Sequence, residues 1–138
     1  MPGLDHARGL LAMARKDFDA LRGMIDNSLF ANEIFGFHAQ QAIEKSLKAW
    51  LAVRSVEFPR THDLSRLLDL LERDGVAVSL FWPLVQYTVY AVQARYDAGL
   101  MQAEEPIDRT ATIADVLLLL GTVEADVVRH EEGPGAKG

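Results

Sequence analysis

The sequence predicts an all-α protein, an up-and-down bundle of four or five helices. Apolar residues recur at i, i+3, i+4 and i+7 through the long stretches, which is the signature of amphipathic helix. No stretch alternates with the period of two that marks a half-buried strand. The breaks between periodic stretches carry Gly, Pro, Asn or Ser, so consecutive helices are joined by short connections and run antiparallel.

The first helix is expected from about Asp5 to Asp26, with Leu11, Ala14, Phe18, Leu21 and Ile25 on one stripe. Asn27-Ser28 breaks it. The second, from about Ala31 to Arg54, organises the rest. Phe35, Ala39, Ala42, Ile43, Leu47, Trp50 and Leu51 cover most of its circumference, as in a helix central to a bundle. Trp50, Trp82, Phe35 and Phe81 all read as packing residues. His38, Gln41, Lys45 and Lys48 fall at i, i+3, i+7 and i+10, so they share a narrow polar stripe. Such a stripe faces water, lines a cleft or forms a buried polar network.

Glu57-Phe58-Pro59-Arg60 is a loop, since proline disfavours helix in the residue before it. Thr61 or Asp63 caps a short third helix with Leu64, Leu67, Leu68 and Leu71 on its apolar face, and Gly75 stops it. Ser79 is the cap expected for a fourth helix, with Pro83 tolerable near its first turn. Leu84, Tyr87, Thr88, Ala91 and Ala94 carry that helix towards Arg95. Ala98-Gly99 and Glu104-Glu105-Pro106 mark a longer connection. Asp108 caps the last helix, about Arg109 to His130, where Ile113, Leu117, Leu120 and Val127 keep a heptad-like spacing. Its leucine run suggests burial on more than one side, in the bundle or in a dimer contact. Residues 4–130 thus form one domain, and residues 131–138, Glu-Glu-Gly-Pro-Gly-Ala-Lys-Gly, are a disordered tail.

Composition narrows the function. A net charge of −6 gives no global attraction for polyanions, so any contact with nucleotide or RNA must come from a local basic cluster. The chain has no cysteine, which removes thiolate ligands and thiol nucleophiles. The four histidines, His6, His38, His62 and His130, have no metal-binding spacing. No metal and no cofactor are expected. No apolar run is long enough to span a bilayer and no signal peptide is evident, so a cytoplasmic protein without membrane contact is expected.

Phe37-His38-Ala39-Gln40-Gln41-Ala42-Ile43-Glu44-Lys45-Ser46-Leu47-Lys48-Ala49 resembles the signature second helix of the HEPN family (higher eukaryotes and prokaryotes nucleotide-binding domain). Thr61-His62-Asp63-Leu64 resembles the family's His-Asp/Asn-Leu loop, and Arg95-Tyr96-Asp97 its Arg-Tyr segment at the end of the fourth helix. The resemblance spans roughly Leu4 to His130. It implies a helical bundle, often a homodimer, that works on nucleotides or RNA, often beside a minimal nucleotidyltransferase, as in toxin–antitoxin pairs. Some members are metal-independent ribonucleases with a histidine four to six residues after the arginine. Here those positions hold Gly99, Leu100 and Met101, so the imidazole is missing and binding is expected rather than catalysis.

The candidate ligand residues are therefore His38, Gln41, Lys45, His62, Arg95, Tyr96 and Asp97. Lys45 offers a point charge for phosphate, Gln41 a donor and acceptor for a base or sugar, and His38 a titratable donor. Arg95 offers a bidentate phosphate grip and Tyr96 a stacking ring. Each has a plainer reading beside it. The stripe on the second helix is a solvated face or a structural network, Asp63 is a helix cap with His62 in the first turn, and Arg95 with Asp97 is a structural clamp. Lys48, Arg54 and Arg60 read as solvated charges.

Overall fold

A computed structural model of the 138-residue chain describes residues 2–26, 28–91 and 106–132. Among these residues every regular element is helical. The order is α1 (Pro2–Gly23), α2 (Asn32–Val53), α3 (Leu64–Arg73), a 3₁₀ helix (Ser79–Tyr90) and α4 (Arg109–Glu132).

The second helix is central, as its apolar circumference predicted. α2 packs against α1, α3, the 3₁₀ helix and α4. Phe35, Ile43, Leu47 and Leu51 are fully buried in it, and Trp50 is nearly so. From Phe37 to Leu51 burial is relaxed only at positions 37, 38, 41, 45 and 48, so the polar stripe is the seam along which this helix approaches the surface. Its C-terminus closes with a Schellman motif. Ser55 takes the left-handed conformation (φ 60°), and the amides of Ser55 and Val56 return to the carbonyls of Ala52 and Leu51. Gly75 does the same for α3, at φ 89°.

Two boundaries and one helix face differ from the sequence reading. α1 ends at Gly23, and Met24 is buried in the turn after it while Ile25 is half-buried, because the chain leaves the helix before Ile25 reaches the stripe. α4 continues through Glu131 and Glu132, where the tail was expected to begin, and Arg8 on α1 holds Glu131 at 2.9 Å. The inward face of α4 is Val116, Leu119, Leu120, Val123 and Val127, so Leu117, expected among the core heptads, is 47% exposed. Asp108 caps this helix as expected, accepting from the Ala111 amide at 3.0 Å.

The fourth segment is the larger correction. Ser79–Tyr90 is a 3₁₀ helix and not an α-helix capped by Ser79; the residue at its N-cap is Val78, which makes no side-chain cap bond. Pro83 has no amide to give to an α-helical ladder. The apolar residues Val78, Phe81, Leu84, Tyr87 and Tyr90 are spaced by three, the repeat at which a 3₁₀ helix eclipses its side chains. Burial follows: from Phe81 to Tyr90 it repeats buried, half-buried, exposed. The expected continuation to Ala94 and Arg95 lies outside the described residues.

Candidate functional site

The polar stripe of α2 meets two carboxylates. Asp17 lies on α1 three residues after Ala14 and four before Leu21, so an acid occupies a register that otherwise belongs to the core. It faces α2, where His38 Nδ1 lies 3.0 Å from one of its oxygens and Lys45 Nζ lies 2.8 Å from the other. The second carboxylate is Glu44, only 5% exposed. Lys48 Nζ donates to it at 2.9 Å, Gln40 Nε2 donates at 2.7 Å, and His62 Nδ1 lies 2.7 Å away. Gln41 joins the same chain, its Nε2 donating to Gln40 Oε1 at 2.7 Å. The Gln40 amide also reaches the His62 carbonyl at 3.4 Å.

The candidates from α2 and from the loop before α3 are thus brought together. His38 and Lys45 are joined through Asp17, and Gln41 and His62 through Gln40 and Glu44. Asp63 is the N-cap of α3, its carboxylate accepting from the Ser65 amide at 3.0 Å, with the Thr61 hydroxyl accepting from the Asp63 amide. That is the helix-cap role set beside the ligand one in the sequence. Lys48 is not a solvated charge; its side chain is 15% exposed and ion-paired. Arg95, Tyr96 and Asp97 lie outside the described residues.

Burial alone would discourage the charge on Glu44. Hydrogen bonds from Lys48, His62 and Gln40 outweigh it and hold the carboxyl below its ordinary range. The acid therefore stays ionised and fixes the donors around it. Two lysines answer two carboxylates, so their formal charges balance. The ring of His62 remains 48% exposed and that of His38 31%, so both can meet a ligand.

Sequence reasoning missed Asp17, Gln40 and Glu44. A signal existed for two of them, because Gln40, Glu44 and Lys48 form an i, i+4 polar ladder down a helix otherwise built for burial. It also misread Arg54. That residue is the C-cap of α2, and its guanidinium reaches Asp74 at 2.7 Å and Asp126 at 3.2 Å. Asp126, buried on α4, also accepts from Trp50 Nε1 and Arg129. Burial opposes its charge, but the bonds from Arg129, Trp50 and Arg54 prevail and lower its pKa. This second cluster is a clamp between α2, α4 and the end of α3.

The model of the HEPN domain matches residues 7–123, most of the chain and all of the first cluster. The chain belongs to the HEPN family. No curated protein and no solved structure matches it significantly. As a HEPN domain it is a helical module of the nucleotide- and RNA-related kind, and such domains are often dimeric. Among the described residues no group of three or more acids and histidines is placed to hold a metal ion, and no helix is long and apolar enough to cross a membrane.

Proposed function

We propose that this HEPN domain is a non-catalytic module that binds a nucleotide or RNA along the exposed edge of α2. His38, Gln41, Lys45 and His62 form the described part of the site, and Arg95, Tyr96 and Asp97 complete it. The domain acts as a homodimer or beside a minimal nucleotidyltransferase. One observation carries the reading. Nitrogen-bearing side chains from two elements converge on the half-buried seam of α2 between Phe37 and Leu51, each oriented by a carboxylate or amide beneath it. Donors held this way lose little freedom when a ligand arrives. A phosphate oxygen is an anionic acceptor for the Lys45 ammonium, as the Asp17 carboxylate that now holds it is. Tyr90, the residue before Ala91, lies against Gly36 of α2.

The absence of a histidine four to six residues beyond Arg95 argues for binding over cleavage. RNA incubated with the protein and a chelator should stay intact. Cleavage lost in Arg95→Ala would replace this reading with a ribonuclease.

A purely structural role for the stripe is the second reading, favoured by one fact: the ammonium groups of Lys45 and Lys48 already meet carboxylates within 2.9 Å. Titrating ATP, GTP and short single-stranded RNA against the melting temperature separates the two. Binding predicts a ligand-dependent rise that Lys45→Ala and Arg95→Ala each reduce. If ligand at millimolar concentration leaves the melting temperature unmoved, or both variants respond like the parent, the stripe is a clamp and nothing more.

A further inference from the structure

The outward face of α4 is apolar, and none of the described elements covers it. Ala114, Leu118, Gly121, Ala125 and Val128 follow each other at i, i+4, i+7, i+11 and i+14, with Leu117 alongside. That is the alternation of four and three residues by which one helix presents a seam to another. Leu118 and Val128 are each 51% exposed, and a shallow groove lies along the face, lined by residues of this helix alone. No charged residue interrupts the seam between Asp115 and Arg129, one at each end and both exposed.

We propose that this face packs antiparallel against the same face of a second copy, crossing near Gly121. Three features select that occupant and direction. First, the seam is complementary to its own reverse. When the helix is turned end for end about Gly121, Ala114 meets Val128, and Ala125 meets Leu117 and Leu118, so small residues receive large ones. Second, a glycine inside a helix is unfavourable relative to alanine, and a Cβ built on Gly121 meets nothing within 4 Å of its own chain. Packing inside the chain does not require the glycine, whereas close approach of a second backbone does. Third, the charges agree. Asp115 and Arg129 each stand one residue beyond a seam position, on the same flank. Antiparallel pairing brings Asp115 of each copy to Arg129 of the other, twice per dimer. Parallel pairing would put these residues on opposite sides of the seam and leave them without that partner. Arg129 gives one nitrogen to Asp126 and its side chain is 64% exposed, which leaves it able to reach across. The other acid near the seam, Glu124, is already held by Arg15 at 2.7 and 2.9 Å.

The inference rests on the homodimer proposed above and not on its ligand. A monomer would overturn it and leave nucleotide binding untouched. Light scattering and sedimentation of the full chain should give twice the chain mass at micromolar concentration. Leu118→Glu, on the surface, should leave the helical circular dichroism intact and raise the dissociation constant about 100-fold, by removing a central apolar contact and adding two like charges. The chain has no cysteine, so introduced thiols report register directly. After mild oxidation, Gly121→Cys should form an intermolecular disulfide. Ala114→Cys alone should not, and Ala114→Cys combined with Val128→Cys should. A monomer at about 100 µM, a dimer indifferent to Leu118→Glu, or a disulfide from Ala114→Cys alone would each overturn the proposal.

Discussion

Ser55 holds φ 60°, a conformation in which a side chain costs about 1–2 kcal/mol relative to glycine. Part of that is returned through the unfolded chain, which glycine loosens. Ser55→Gly is therefore expected to raise stability by about 0.5 kcal/mol, read as a higher denaturant midpoint at unchanged slope. Gly36 is the opposite case. A Cβ there falls 2.5 Å from Cδ1 and Cγ of the buried Tyr90 ring. Gly36→Ala forces ring or backbone to move and should cost about 1–3 kcal/mol, although alanine is the better helix former. An unchanged midpoint would mean that Tyr90 does not pack on α2.

At the scale of the element, the 3₁₀ helix makes the sharpest claim. If burial follows a period of three, Phe81→Ala should cost about 3–5 kcal/mol, while Leu80→Ala should fall within about 0.5 kcal/mol of the parent. Phe81 is 4% exposed and Leu80 73%. In an α-helix the two faces would drift and the contrast would blur. The period was present in the sequence, as Val78, Phe81, Leu84, Tyr87 and Tyr90. It escaped notice because repeats of 3 and 3.6 stay in phase for the first turn, and Leu84, Tyr87, Thr88 and Ala91 satisfy an α-helical reading nearly as well. Elements set by local chemistry were legible: α2 from its wide apolar face, α3 from its leucines, and the caps Asp63 and Asp108 from side chains that bond amides two and three residues on. The stripe of His38, Gln41 and Lys45 was legible for the same reason, as polar residues interrupting a buried helix. Its anchors were not. Asp17 becomes a partner of Lys45 only when α1 lies across α2, and Arg54 finds Asp126 across 72 positions of chain. The register of Asp17 marks an acid on the core face of its helix, but in neither contact does the local sequence name the distant partner.

For the whole molecule, these anchors predict how it unfolds in acid. Glu44 and Asp126 have folded pKa values below their unfolded ones. The unfolded chain thus binds protons that the folded one refuses, and stability falls as pH falls. Their contribution is complete above the ordinary carboxylate pKa of about 4 and is lost as the pH drops through the lower folded values. A plot of denaturant midpoint against pH should descend on its acid limb, and Glu44→Gln should lower it at neutral pH and flatten that descent. A parallel descent in Glu44→Gln would place the proton uptake elsewhere. The molecule also braces one interval of chain from both sides. Tyr90 leans on Gly36, and beyond residues 92–105 Arg109 grips the carbonyls of Met24 and Phe30, the side chain of Asn32 and the ring of Phe35. Both posts stand at the same end of α2. Those two anchors tie the described chain on either side of that interval to one end of the central helix, so weakening either should loosen that end of the bundle before the other.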